Sequence, residues 1–107
     1  MNPFRQGIAR YLSQESLARV RAMRVGIAGA GGLGSNCAML LVRCGFEDLV
    51  VVDHDVVEPS NLNRQFFFCR QVGQPKVEAL RENLLDVNPD ASVRAVQAQV
   101  TPGNVRE

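Results

Sequence analysis

Residues 24–35 read RVGIAGAGGLGS, an apolar run that breaks into glycines. Few local structures can take such a stretch: an extended strand must turn sharply and pass into a helix that packs close to the turn. Gly29 would permit the tight turn, Gly31 would let the backbone approach a phosphate, and Gly34 would let the helix pack against a sheet. The first N–H groups of that helix would then face a ligand with about half a positive charge.

The flanking sequence follows from that start. No periodicity marks the stretch up to Arg10, but Ser13 suits the cap of a short helix through Met23. Leu17 and Val20 would form its inner side, with Arg19 and Arg21 outside. Residues 24–29 read as a strand and 34–44 as a heavily buried helix stopped by Gly45. The β-branched run at 49–52, ending at Asp53, suits a buried parallel strand. Pro75 opens another helix where its missing N–H costs nothing, and Val77, Leu80, Leu84 and Val87 keep helical spacing up to Asn88-Pro89. Residues 92–100 alternate as a third strand, and Thr101 with Pro102 resemble the start of one more helix.

Strand–helix–strand–helix–strand predicts an α/β chain: a Rossmann-like, doubly wound, mainly parallel sheet with right-handed crossovers and helices on both faces. Its 107 residues amount to one domain at most, with 1–23 as an N-terminal arm and helix. The domain is expected to be partial, its sheet cut short after the third strand.

Bulk properties then exclude several partners. A net charge of +1 gives no reason to expect nucleic acid or an anionic membrane surface. No secretory signal is evident, and the apolar stretch at 37–42 is far too short to span a bilayer. Three cysteines without a C-x-x-C pair give no disulfide framework, so a reducing cytoplasm is expected. Cys37 and Cys44, seven apart on one helix face, are expected in the core, and Cys69 in a loop.

Asp53 stands where a ribose hydroxyl could be held, at the end of the strand after the glycines. Up to this point a nicotinamide cofactor is the commoner explanation. The next residues turn the reading. DHDVVEPSNLNRQ at 53–65 and VGQPK at 72–76 put amides and cations just beyond the second strand. Asn61 and Asn63 could bond phosphate or ribose oxygens, Arg64 offers a planar fork for a phosphoryl group, and Lys76 a compact point charge. His54, between Asp53 and Asp55, reads as a loop residue without a second ligand at metal spacing.

GAGGLGS at 29–35, DHDVVEPSNLNRQ at 53–65 and VGQPKVEAL at 72–80 together resemble the ThiF/MoeB/HesA family of adenylyltransferases, related to ubiquitin-activating enzymes, and most closely its ThiF branch. The resemblance covers most of the chain, and the SNLNRQ run is its most specific part. It implies a dimeric adenylation domain that uses ATP and magnesium. The substrate would be the C-terminal glycine carboxylate of a small ubiquitin-like sulfur carrier, ThiS-like, in thiamine biosynthesis. Gly31 and Gly32 would lie along the phosphates, within a binding set of Gly29, Gly34, Asp53, Asn61 and Gln65. Arg64 and Lys76 would act on the triphosphate, and Arg5 would reach a partner subunit's site. No residue here is expected to bind the metal, whose ligand would lie beyond Glu107. A NAD-binding oxidoreductase domain and a non-catalytic nucleotide-binding subunit are the competing readings.

Overall fold

The computed structural model describes residues 1–99. Strands β1 (Arg24–Ala28), β2 (Asp48–Asp53) and β3 (Ser92–Gln97) form a parallel sheet in that order. Helix α3 (Gly32–Arg43) joins the first two strands and α4 (Lys76–Val87) the last two. The α/β, Rossmann-like parallel architecture is as expected. The expected strand at 92–100 ends at Gln97, and the helix start at Thr101 and Pro102 lies outside the described residues.

The register aligns Val25 with Leu49 and Val93, and Ile27 with Val51 and Ala95. Side chains alternate across a strand, so these form one face. Ala38, Met39 and Val42 of α3 and Val77, Leu80 and Leu84 of α4 close the core against it. Each fully buried Leu or Val there contributes about 1.5–3 kcal/mol relative to exposure.

Two elements precede the sheet: α1 (Pro3–Ile8) and α2 (Gln14–Ala22). Helix α1 is a departure from the sequence expectation, and its cause is local. Asn2 Oδ1 accepts the N–H groups of Phe4 (2.9 Å) and Arg5 (3.3 Å), and Pro3 stands at the first helical position. The Ser13 cap forms as expected, accepting the Ser16 N–H at 3.1 Å, and Leu17 is buried.

Helix α3 begins at Gly32, two residues before the expected Gly34, because Gly31 itself acts as the cap. Its burial also differs from expectation. Cys37 and Cys44 do share a face, but that face is exposed, together with Leu33 (89%) and Leu40 (64%). Ser35, Ala38, Met39 and Val42 take the inner side instead. Both faces of this helix are apolar in sequence, so periodicity alone could not choose between them.

At the N-terminal ends of the strands a polar clasp binds the arm to the sheet. Glu47 is buried and accepts Arg5 Nε at 2.9 Å, Arg5 Nη2 at 2.5 Å and Asn88 Nδ2 at 3.0 Å. Arg21 Nε approaches the same carboxylate at 3.3 Å as a charge pair without hydrogen-bond geometry. Asn2 Nδ2 reaches Asn88 and Asp90, at 2.6 and 2.8 Å. Burial opposes ionisation of Glu47, but Arg5, Asn88 and Arg21 outweigh it and hold its carboxyl below the usual range. The same bond to Glu47 raises the Arg5 guanidinium further.

Replacing Glu47 by glutamine should lower stability by about 2 kcal/mol, read as a shift in urea midpoint, because it removes hydrogen bonds to a charged group. The sign with pH follows from the depressed folded value. The Glu47 contribution is complete above the unfolded pKa of about 4.3 and is lost as pH falls through the folded one. The gap between wild type and Glu47→Gln should therefore narrow on acidification below about pH 4.3.

Candidate functional site

At the opposite, C-terminal ends of the strands, the glycine turn links β1 to α3. Gly29 has a φ of 103°, a left-handed conformation, while its N–H continues the sheet ladder to the Val52 carbonyl at 2.7 Å. A Cβ on Gly34 would overlap the carbonyl oxygen of Gly29. The fold itself therefore demands these two glycines. Gly31 and Gly32 differ: a Cβ there would meet only Gln65 Nε2 at 3.7 Å, or Arg64 Cγ at 3.8 Å, which are ordinary contacts. Bare backbone at 31 and 32 instead suits close approach by a ligand. Among the described residues no side chain caps the N-terminus of α3, which leaves its first N–H groups available to an anion.

Asp53 ties this turn to the segment beyond β2. Its Oδ2 accepts the Ala30 N–H at 2.7 Å and its Oδ1 the Asp55 N–H at 2.8 Å. Burial disfavours its charge, yet those two bonds, with Lys76 and His54 nearby, hold its carboxyl below the usual aspartate range. A cavity of about 230 Å³ lies against Gly29, Asp53, His54 and Asp55.

The segment after β2 folds back on the start of α4. Val56 bridges Pro75, Val57 N–H donates to the Gln74 carbonyl (2.8 Å), and Lys76 N–H to the Asp55 carbonyl (2.9 Å). Pro75 consequently caps α4, which starts at Lys76, one place after the expected start at Pro75. These bonds bring Lys76, itself buried, to 3.9 Å from Asp55 Oδ2. Asp55, Val56, Glu58, Asn61 and Lys76 line a polar cavity of about 280 Å³. Asn61 is buried; its Oδ1 accepts the Glu58 N–H at 2.9 Å, and its Nδ2 has no partner among the described residues.

Arg64 is exposed and rests on its own loop, with Nη1 at 3.1 Å from the Ser60 carbonyl and 3.2 Å from Asn63 Oδ1. Gln65 is buried beside Gly31, with no donor to its Oε1 among the described residues. Gly29, Gly31, Gly32, Gly34, Asp53, Asn61, Arg64, Gln65 and Lys76 thus all lie in the turns, strand end and helix starts at one end of the sheet, where ligands of such folds bind. Arg5 does not: it sits in the Glu47 clasp at the other end.

Four residues that sequence reasoning does not single out hold this arrangement. Ser35 Oγ accepts the Phe66 N–H at 3.0 Å, and Asn36 bonds both Gly32 and Arg64. Gln71 and Asn83 pair reciprocally through their amides at 2.6 and 3.0 Å, and Asn83 also donates to the Phe66 carbonyl. A signal exists for Asn83, since it falls inside the apolar Leu80–Leu84 stripe. Sequence spacing also fails to anticipate that Asp53, His54 and Asp55 offer ligand atoms within 4.8 Å of one another. Both Asp53 oxygens are already engaged, and Asp55 faces His54 and Lys76. No described helix is long and apolar enough to cross a membrane.

Residues 5–107 match the ThiF family. The SAMP-activating enzyme E1 of Haloferax volcanii is 46% identical over 94 residues, spanning 87% of this chain and 35% of that protein. Ubiquitin-like modifier-activating enzyme 5 of Caenorhabditis elegans is 42% identical over 83 residues, 78% of this chain and 20% of its own. Among solved structures, the E. coli tRNA N6-threonylcarbamoyladenosine dehydratase TcdA in complex with ATP superimposes with a TM-score of 0.86 at 34% identity. That match covers 94% of this chain and 42% of TcdA. The chain therefore spans between a fifth and about two fifths of these relatives.

The two kinds of glycine should respond differently to alanine. Gly34→Ala should cost about 2 kcal/mol or more through its clash with the Gly29 carbonyl. Gly31→Ala, at a φ of −80°, should change stability by less than about 1 kcal/mol while weakening anion binding at the start of α3, read with ATP as the probe. Thermal melts and calorimetric titration of the same two proteins separate these outcomes.

Proposed function

The chain belongs to the ThiF family, and on that footing we propose that it is the nucleotide-holding part of an enzyme that adenylates a protein carboxylate with ATP. The substrate is the C-terminal glycine of a ubiquitin-like protein. The finer reading is a ThiS-like sulfur carrier in thiamine biosynthesis, supported by the likeness of 29–35, 53–65 and 72–80 to the ThiF branch. The observation that carries the proposal is the pairing of an open helix N-terminus with a second cavity holding the buried Lys76 and Asn61, whose Nδ2 has no acceptor among the described residues.

The chemistry explains why no catalytic triad is needed. A terminal carboxylate, with a pKa of about 3.5, is already ionised at neutral pH. Its oxygen attacks the α-phosphorus of ATP, a new carboxyl–phosphorus bond forms, and pyrophosphate leaves with the electrons of the broken bond. The obstacle is electrostatic: two unit charges about 4 Å apart repel by about 4 kcal/mol at an effective dielectric near 20. Cations set in place beforehand offset that repulsion as charge builds. Lys76 is such a cation, held by its main-chain bond to Asp55 and by burial. Arg64 is a second, parked on carbonyl and amide oxygens that it can exchange for phosphate. Asp53 receives the ribose hydroxyls, since each of its oxygens carries one further lone pair.

Magnesium would add positive charge at the phosphates. Asp55 and Glu58, which line the Lys76 cavity, are the carboxylates that would hold it. In a homodimer, Arg5 would serve the partner's site only after leaving Glu47, a bidentate contact that it would have to exchange for the polyphosphate.

ATP–pyrophosphate exchange that depends on the carrier tests the proposal in the full-length protein. Lys76→Ala and Arg64→Ala should each lower exchange by about 100-fold or more with the circular dichroism spectrum unchanged. Near-normal exchange in either variant, or tighter binding of NAD than of ATP by the wild type, would overturn it.

A further inference from the structure

We propose that Asn36 is a positioning residue for Arg64, setting where that side chain stands over the N-terminus of α3; the inference rests on the nucleotide reading above. Asn36 lies in the second turn of α3. Its Nδ2 donates to the carbonyl oxygen of Gly32 at 2.6 Å and to that of Arg64 at 2.9 Å. Both hydrogens of one planar amide are thereby used. A single rigid group joins the first residue of the helix to the main chain of the residue that carries the cation.

Other contacts make that junction matter. The Arg64 N–H donates to the Asn61 carbonyl at 3.2 Å, so the residue is held at both ends of its main chain. Its stem then passes over the glycines, with Cγ and Cδ 3.8 and 4.0 Å from where a Cβ on Gly32 would sit. Beyond the stem, the guanidinium uses Nη1 alone among the described residues, on two exposed acceptors. The root of the side chain is fixed and its tip is lightly held, which suits a cation that must swing onto phosphate. Helix formation does not explain the choice of residue. Asparagine is less favourable than alanine inside a helix by about 0.6 kcal/mol, so position 36 accepts a poor helix former that supplies two donors. Aspartate has nearly the same shape but no N–H, and its oxygens would face both carbonyls.

Chemical modification of Arg64 by phenylglyoxal, followed by peptide mass spectrometry with and without ATP, reads the position of the guanidinium directly. In the full-length wild type, ATP should slow modification of Arg64 by about tenfold; in Asn36→Ala and Asn36→Asp it should do so by less than about twofold. Melting temperatures of the variants should stay within about 3 °C of wild type. Equal protection in wild type and variants overturns the proposal, as does the absence of protection in the wild type.

Exchange kinetics add a second arm. Asn36→Ala should lower carrier-dependent exchange by about tenfold when Arg64 is present, and by less than about twofold in an Arg64→Ala background. The same factor in both backgrounds also overturns it. Protection of Arg64 by ATP without any wild-type exchange would instead remove the adenylation reading and leave the role of Asn36 standing.

Discussion

The Asp53 carboxylate has two oxygens, and each is committed to a different backbone loop. One takes the Ala30 N–H inside the glycine turn, the other the Asp55 N–H at the start of the segment beyond β2. These bonds make two loops into one rim. Everything else at the site inherits its position from them: the start of α3 follows the Ala30 side, and the main-chain bond from Lys76 to Asp55 follows the other. Partial burial works against the charge, but the surrounding donors and cations outweigh it and keep the acid ionised.

The segment from Asn61 to Gln71 has little regular structure, yet it is not loosely attached. Ser35 and Asn36 bind it to α3, and the Gln71–Asn83 amide pair binds it to α4. Buried amides with their partners in place rigidify and specify a unique arrangement, whereas a half-satisfied set would be costly. An irregular stretch can then present side chains with the precision of a helix or strand. Arg64 and Lys76 illustrate the contrast, since the first has a fixed root and an exposed tip on two surface acceptors and the second is buried along its length.

Much of this is legible in the amino acids. Alternating β-branched residues, the glycines and the Val77–Leu80–Leu84 stripe are enough to anticipate the strand–helix order and the parallel sheet. The glycine turn and the residues from Asp53 to Lys76 mark the end of the sheet where a ligand belongs. Three things are not legible, each for a physical reason. A helix apolar on both faces gives no phase, so its pattern points Cys37 and Cys44 to the wrong side. Polar side chains buried by mutual satisfaction, such as Gln71, look like surface residues until their partners are known. Arg5 stands 42 positions from Glu47, and no local pattern links residues that far apart.

The arm clasp and the ligand rim lie at opposite poles of the same strands. Glu47 precedes β2 and Asp53 ends it, so a strand of six residues separates them by about 20 Å. They share no side chain. Perturbations at that distance without common partners combine close to additively. Fastening and rim are therefore separable in this chain: the loops at one pole can vary in sequence while the bonds at the other keep the sheet anchored.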